Sequence, residues 1–137
     1  MKKNVMLILT LGLFTVTSCG KYEEGPSLSL RAKKARLVGE WAIESVTFNG
    51  TDVTAFYTAL LGADAKLHIE KDESYHQHGL VEDEGTWKFG DGKETIIITS
   101  SATGSEAEES EILKLKSKEL WLKHVHDDET VITHYKQ

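Results

Sequence analysis

From residue 37 to the C-terminus the chain alternates apolar and polar side chains with a period of two, broken at short intervals by turn residues. The alternation predicts eight strands, over residues 41–49, 65–70, 74–80, 85–89, 95–101, 108–116, 119–126 and 130–136. Between them stand Asn49-Gly50, Asp72-Glu73, Gly90-Asp91-Gly92, Ala102-Thr103-Gly104, Ser117 and Asp127-Asp128, residue types that favour tight reversals. One stretch has another period. Val53, Phe56, Tyr57, Leu60 and Leu61 recur at helical spacing and predict a helix over 53–61, capped by Asp52 and ended by Gly62. Residues 28–37 are basic and predict a short helix leading into this domain.

Eight short strands at even spacing, mostly joined as hairpins, predict an all-β fold: an eight-stranded antiparallel up-and-down barrel. Closure removes the two edges that an open meander would expose. Following strand direction places the longer connections 50–64, 81–84, 102–107 and 127–129 at one rim, and the tight turns 71–73, 90–93 and 117–118 at the other. The first rim is then a mouth and the second a closed base, with the helix across the mouth and Phe56 and Leu60 facing in. A membrane-spanning barrel needs strands of about 9–11 residues and an outward apolar band. Most of these strands are shorter, with Lys, Glu and Thr on the presumed outer faces, which argues against that class.

The N-terminus adds a location. Lys2 and Lys3 precede an apolar run over residues 5–16, followed by Val16-Thr17-Ser18-Cys19. A basic start, a short apolar core and small residues before a cut describe a secretory signal. A cysteine directly after the cut resembles the lipobox of bacterial lipoproteins. That resemblance implies cleavage of residues 1–18, acylation of Cys19 with fatty chains such as palmitate, a lipidated tether and short helix over 19–36, and a barrel domain over 37–137. The apolar run is too short to span a bilayer, which takes about 20 residues, whereas two or more acyl chains hold a protein firmly. The absence of Asp after Cys19 favours the outer membrane of a Gram-negative envelope in the lipoproteins this chain resembles. The pair Glu23-Glu24 resembles surface-export signals.

Cys19 is the only cysteine, so no intramolecular disulfide can form. Removing Lys2 and Lys3 leaves 14 basic residues against 22 acids, a formal charge of −8. Such a surface has no basic stripe for phosphates, which excludes nucleic acid as a partner, and it is repelled by anionic head groups, so the membrane is met through lipid alone.

At Leu37-Val38-Gly39-Glu40-Trp41 the chain resembles the opening strand of the lipocalin superfamily, with its Gly-x-Trp motif. Gly85-Thr86-Trp87-Lys88-Phe89 and Ile112-x-x-Leu115 followed by Leu120-x-Leu122 are similar to small bacterial lipocalin-like lipoproteins. The resemblance covers residues 37–137 and implies a barrel floor built from Gly39 and Trp41, with Lys136 in the place of the arginine that lipocalins pack over the tryptophan. The Thr-Asp-Tyr motif of typical lipocalins is absent; Lys116-Ser117-Lys118 stands there.

Candidate chemistry is sparse. His76-Gln77-His78 and His124-Val125-His126 each place two imidazoles on one strand face near the mouth. Such pairs can hold Zn²⁺ or Cu²⁺, although the commoner role is polar rim or ligand hydrogen bonding, so no metal or other cofactor is expected. Glu82-Asp83-Glu84 and Asp127-Asp128-Glu129 fall in turns and match no calcium-loop spacing. No nucleophile with a partnered base is present, and the chain reads as no enzyme. Trp121 has the opposite parity to Leu120 and Leu122 and should face outward, under the basic helix. The first functional reading is a barrel holding one small apolar molecule, with Phe56, Leu60, His76, His78, His124 and His126 around it. The alternatives are a filled barrel that docks a protein partner, and metal capture by the His pairs. A ligand cup demands several hundred Å³; a filled interior favours docking.

Overall fold

A computed structural model describes residues 30–137, with side chains from residue 33 onward. Cys19, the signal segment and the first part of the tether lie outside the described residues. The elements are α1 (Leu30–Leu37), β1 (Gly39–Phe48), β2 (Thr51–Asp52), α2 (Thr54–Leu61), β3 (Lys66–Ile69), β4 (Ser74–His78), β5 (Asp83–Phe89), a 3-10 turn at Asp91–Lys93, β6 (Thr95–Ser100), β7 (Glu108–Leu115), β8 (Glu119–His126) and β9 (Glu129–Lys136). Strand β1 pairs with β3, each later strand pairs with the next, and β9 returns to β1, all antiparallel. The eight expected strands thus close into a barrel. The ninth, β2, is a two-residue arm on the end of β1, turned by Asn49 (φ 47) and Gly50 (φ 84). Two successive positive φ values match the twist of the flanking strands, and Asn-Gly supplies them at little cost.

Register assigns the faces. Trp41 opposes Leu67, Ile43 opposes Tyr135, Leu120 opposes Leu115 and Tyr135, and Trp87 opposes Ile98; these point inward. The buried cluster joins Leu37, Trp41, Leu67, Ile69, Tyr75, Trp87, Ile96, Ile112, Leu115, Leu120 and Leu122, concentrated toward the base. Outward positions carry Glu40, Lys66, His68, Thr86, Lys88, Glu111 and Lys123, the reverse of a lipid-facing band. Among the described residues no helix is long and apolar enough to cross a membrane. Register shifts at Ile43/Ser45 and Ile112/Lys114 each insert one extra residue, which bends the strand and turns a corner of the barrel.

Helix α1 shuts the base. Leu37 is fully buried in the core, and its carbonyl accepts the Trp41 Nε1–H at 2.8 Å. Lys34 reaches the face of Trp87, 5.7 Å from the ring centroid, and Glu73 at 3.9 Å. Trp87 Nε1 donates to the Glu70 carbonyl at 3.0 Å, tying the second inward tryptophan to the β3–β4 turn. Lys136, expected over Trp41, is instead exposed and opposes Ala42 and Glu119 on the outer face. Tyr135 takes the inward position, and strict alternation sends its neighbour outside. Trp121 does face outward. It stacks on His134 at 4.0 Å between centroids, with Lys114 Nζ 4.3 Å above the ring. Its Nε1 is buried without a hydrogen-bond partner among the described residues.

Candidate functional site

The mouth is defined by what β1 leaves uncovered. Strand β1 pairs with β3 only from Gly39 to Ala42, then leans toward β9, so a gap opens between β1 and β3 above Trp41. Helix α2 fills that gap. Val53 N–H donates to the Val46 carbonyl at 2.9 Å, and Val46 N–H donates to Thr54 Oγ1 at 2.9 Å. Asp52 Oδ1 accepts from Thr54 N–H (2.8 Å) and Thr54 Oγ1–H (2.6 Å), and these bonds hold the Asp52 carboxyl below the usual carboxylate range. Asp52, expected as the cap, stands one residue before it: the cap is Val53, and Asp52 bonds Thr54, the first residue of the helix.

These bonds fix the rotation of α2 so that Thr54, Tyr57 and Leu61 turn to the barrel. Phe56 and Leu60, expected to face in, are instead 64% and 50% exposed. The helix is a side plug on the β1 wall rather than a lid with those two residues beneath it. Its C-terminal end is tied to the β4–β5 loop, where Leu80 N–H donates to the Leu61 carbonyl at 2.8 Å. Leu80 (76% exposed) and Val81 continue the apolar rim that Phe56 and Leu60 begin.

Beneath α2, Trp41, Ile43, Leu61, Ala65, Lys66, Leu67, Gln77 and Tyr135 line a partly open cavity of about 30 Å³. That is room for water and far less than a drug-sized molecule needs. Burial pushes the Tyr135 hydroxyl up to about 12, with a smaller contribution from nearby Tyr57.

The β4 strand resolves a choice that alternation alone leaves open. Tyr75 opposes Ile69 and Gln77 opposes Leu67, so both are inward, and His76 and His78 stand on the outer wall. On β8, by contrast, His124 and His126 share the face of Leu120 and Leu122. His124 Nδ1 lies 3.1 Å from the Glu109 carbonyl, and His126 Nε2 lies 3.2 Å from Asp127 in solvent. The two pairs stand on opposite faces of the barrel wall, so they cannot share one ion across the mouth.

Inside the rim the structure brings together three residues that pattern reading passed over. Tyr75 Oη donates to Asp83 Oδ2 at 2.6 Å, and Ser100 Oγ donates to Asp83 Oδ1 at 2.5 Å. Burial opposes ionisation of Asp83, but the bonds from Ser100, Tyr75 and the Glu84 backbone outweigh it and hold its carboxyl low. Burial, then the bond to Asp83, pushes Tyr75 up to about 12. Sequence reading puts Asp83 in a turn; the structure instead starts β5 there, two residues before Gly85 on the inward face.

This cluster predicts a pH profile. Asp83 contributes stability above its unfolded pKa of about 3.9, lost as pH falls through its lower folded value. Tyr75 contributes below an unfolded value of about 10, lost as pH rises toward about 12. Tyr75→Phe should cost about 1.5 kcal/mol at neutral pH, the low end for a bond to a charged acceptor that is partly solvated. It should also move acid unfolding to higher pH and weaken the alkaline loss, to which Tyr135 still contributes. Urea melts at a series of pH values read both effects.

No protein-family model matches the chain, and no curated protein matches it.

Proposed function

We propose that this protein is a lipid-anchored, lipocalin-like barrel of the outer membrane that acts as a docking module, its interior filled and its mouth rim presented to a protein partner. The carrying observation is the 30 Å³ cavity, an order of magnitude below what a ligand cup requires. The rim supports the same reading. Phe56, Leu60, Leu80 and Val81 are exposed at an end of the barrel whose loops bear Glu82, Glu106, Asp127 and Asp128, with Glu84 exposed at the start of β5. The complementary partner is an envelope protein with an apolar segment flanked by Lys or Arg. Helix α1 enters the barrel at its base, at the end opposite this rim. No reaction is assigned.

Carriage of a small apolar molecule is the second reading, favoured by the apolar lining beneath α2. It would require the helix to swing out. Native mass spectrometry of the chain extracted from its own membrane separates the two. The docking reading expects acylated protein without a stoichiometric small molecule, and a photo-crosslinker at Leu80 that yields one protein adduct, lost in Leu60→Glu. A bound small molecule, or no adduct, would overturn it.

A further inference from the structure

The outer wall of β4 carries a second candidate site, which shares Glu82 of the β4–β5 loop with the mouth rim. His76 and His78 project from one face of the strand, and their rings lean together to 3.9 Å between centroids at 22° between planes. Cβ atoms two residues apart on a strand are separated by roughly 6.5–7 Å, so the imidazoles converge rather than stand parallel to their backbone spacing. Glu82 closes the group from the β4–β5 loop. Its Oε2 lies 3.7 Å from His76 Nε2, and its Oε1 lies 3.6 Å from His78 Nδ1. One ligand atom from each of the three residues falls within 4.8 Å of the others.

Those separations are informative. A charge-assisted N–H···O bond closes to about 2.7–2.9 Å, and neither contact does so. In a tetrahedral site with bonds of about 2.0–2.1 Å, neighbouring ligand atoms stand about 3.3 Å apart. The two His–Glu82 contacts are therefore within a few tenths of an ångström of metal-ligand spacing, and all three ligand atoms fit inside 4.8 Å, a cluster that a bound ion could draw together.

The backbone beneath is held from both sides. Leu80 is pinned to the Leu61 carbonyl before Glu82, and Asp83 is clamped by Tyr75 and Ser100 after it. His68 stands edge-on to His78 at 5.1 Å between centroids, and its Nε2 faces Glu40 at 3.7 Å, which restricts the His78 ring from the β3 side. An open groove of about 310 Å³ lined by His76, Glu82, Asp83, Glu84, Ser101 and Ala102 gives access and space for water as a further ligand.

We propose that His76, His78 and Glu82 form a three-ligand site for a divalent transition metal of the Zn²⁺ and Cu²⁺ class on the outer wall of the barrel. Two imidazoles and one carboxylate suit those ions better than Ca²⁺ or Mg²⁺, which take oxygen ligands. The side chains are half exposed, so little desolvation opposes binding, and little burial strengthens it.

Calorimetric titration of Zn²⁺ into the full chain in detergent tests the site. One equivalent should bind with a dissociation constant in about the micromolar range, and thermal unfolding should move upward with bound metal. His76→Ala, His78→Ala and Glu82→Gln should each weaken binding by about tenfold or more. All three lie on the surface, so each should melt like the parent without metal. The double variant His124→Ala/His126→Ala should bind as the parent does. No saturable binding below about 100 μM Zn²⁺, unchanged affinity in His76→Ala, or loss in the His124/His126 variant would overturn the assignment.

Discussion

Trp41→Ala should remove about 4–5 kcal/mol of folding stability, measured as a fall in the urea midpoint with little change in slope. The side chain is fully buried, and truncating a buried tryptophan costs about 3–5 kcal/mol in lost transfer and cavity energy. A second cost adds to it. The indole N–H satisfies the Leu37 carbonyl at 2.8 Å inside the core, and its removal leaves that acceptor unpaired. Domains of this size hold about 5–15 kcal/mol in total, so the variant should sit close to unfolding. Trp41→Phe refills much of the volume but not the bond and should lose about half as much. Trp121→Ala is the contrast: its ring lies outside on His134 and Lys114, and its loss should stay near 1 kcal/mol. If Trp41→Ala were as mild as Trp121→Ala, the floor of the barrel would not depend on the tryptophan that links it to α1.

That dependence was partly visible in the residues. Alternation placed all eight barrel strands, because buried Leu, Ile and Trp recur every second residue where one face meets a core. It missed β2, whose two residues are too few to show a period. It fixed Leu120, Leu122 and His124 on one face, but not His76 and His78. In Ser74-Tyr75-His76-Gln77-His78 both faces are polar enough to meet water, and only the register against Leu67 and Ile69 chooses. The same parity argument, applied to Tyr135, would have put Lys136 outside. The rotation of α2 was not legible at all. Its apolar stripe is wider than the gap it fills, and the hydrogen bonds to Val46 that select Tyr57 and Leu61 come from a strand earlier in the chain. Cavity volume was equally hidden, since it depends on how rotamers interlock rather than on which residues alternate. The candidate sites suffered most from this. Asp83, Tyr75 and Ser100 come from three strands, and Glu82 joins His76 and His78 only once the loop after Gly79 has turned back.

Gly85→Ala should cost about 3 kcal/mol, more than its single added methyl group suggests. Gly85 lies on β5 between Tyr75 of β4 and Ser100 of β6. A Cβ there would run into the Thr99 carbonyl oxygen, and would stand 2.9 Å from both the Ser100 Cα and the Tyr75 Cε1. Two of those three obstacles are backbone of a paired strand, which can retreat only by breaking the β5–β6 ladder. Overpacking a well-filled interior costs about 1–3 kcal/mol, and here the top of that range applies because no flexible side chain can give way on the β6 side. The Tyr75 ring would move as well, pulling its hydroxyl from Asp83, so the variant should share the upward shift in acid unfolding of Tyr75→Phe. Gly104→Ala separates this from an ordinary glycine effect: nothing lies within 4 Å of its added carbon, but its φ of +79° should still cost about 1 kcal/mol. The comparison bears on the barrel as a whole. Gly39 and Gly85 each precede an inward tryptophan by two residues, and each has a neighbouring chain segment pressed where a side chain would be. The Gly39 obstacle is the flexible end of Gln137, whereas at Gly85 it is another strand. Unaltered stability in Gly85→Ala would mean that β5 and β6 stand further apart than the structure places them, with more room inside the barrel than the cavity beneath α2 provides.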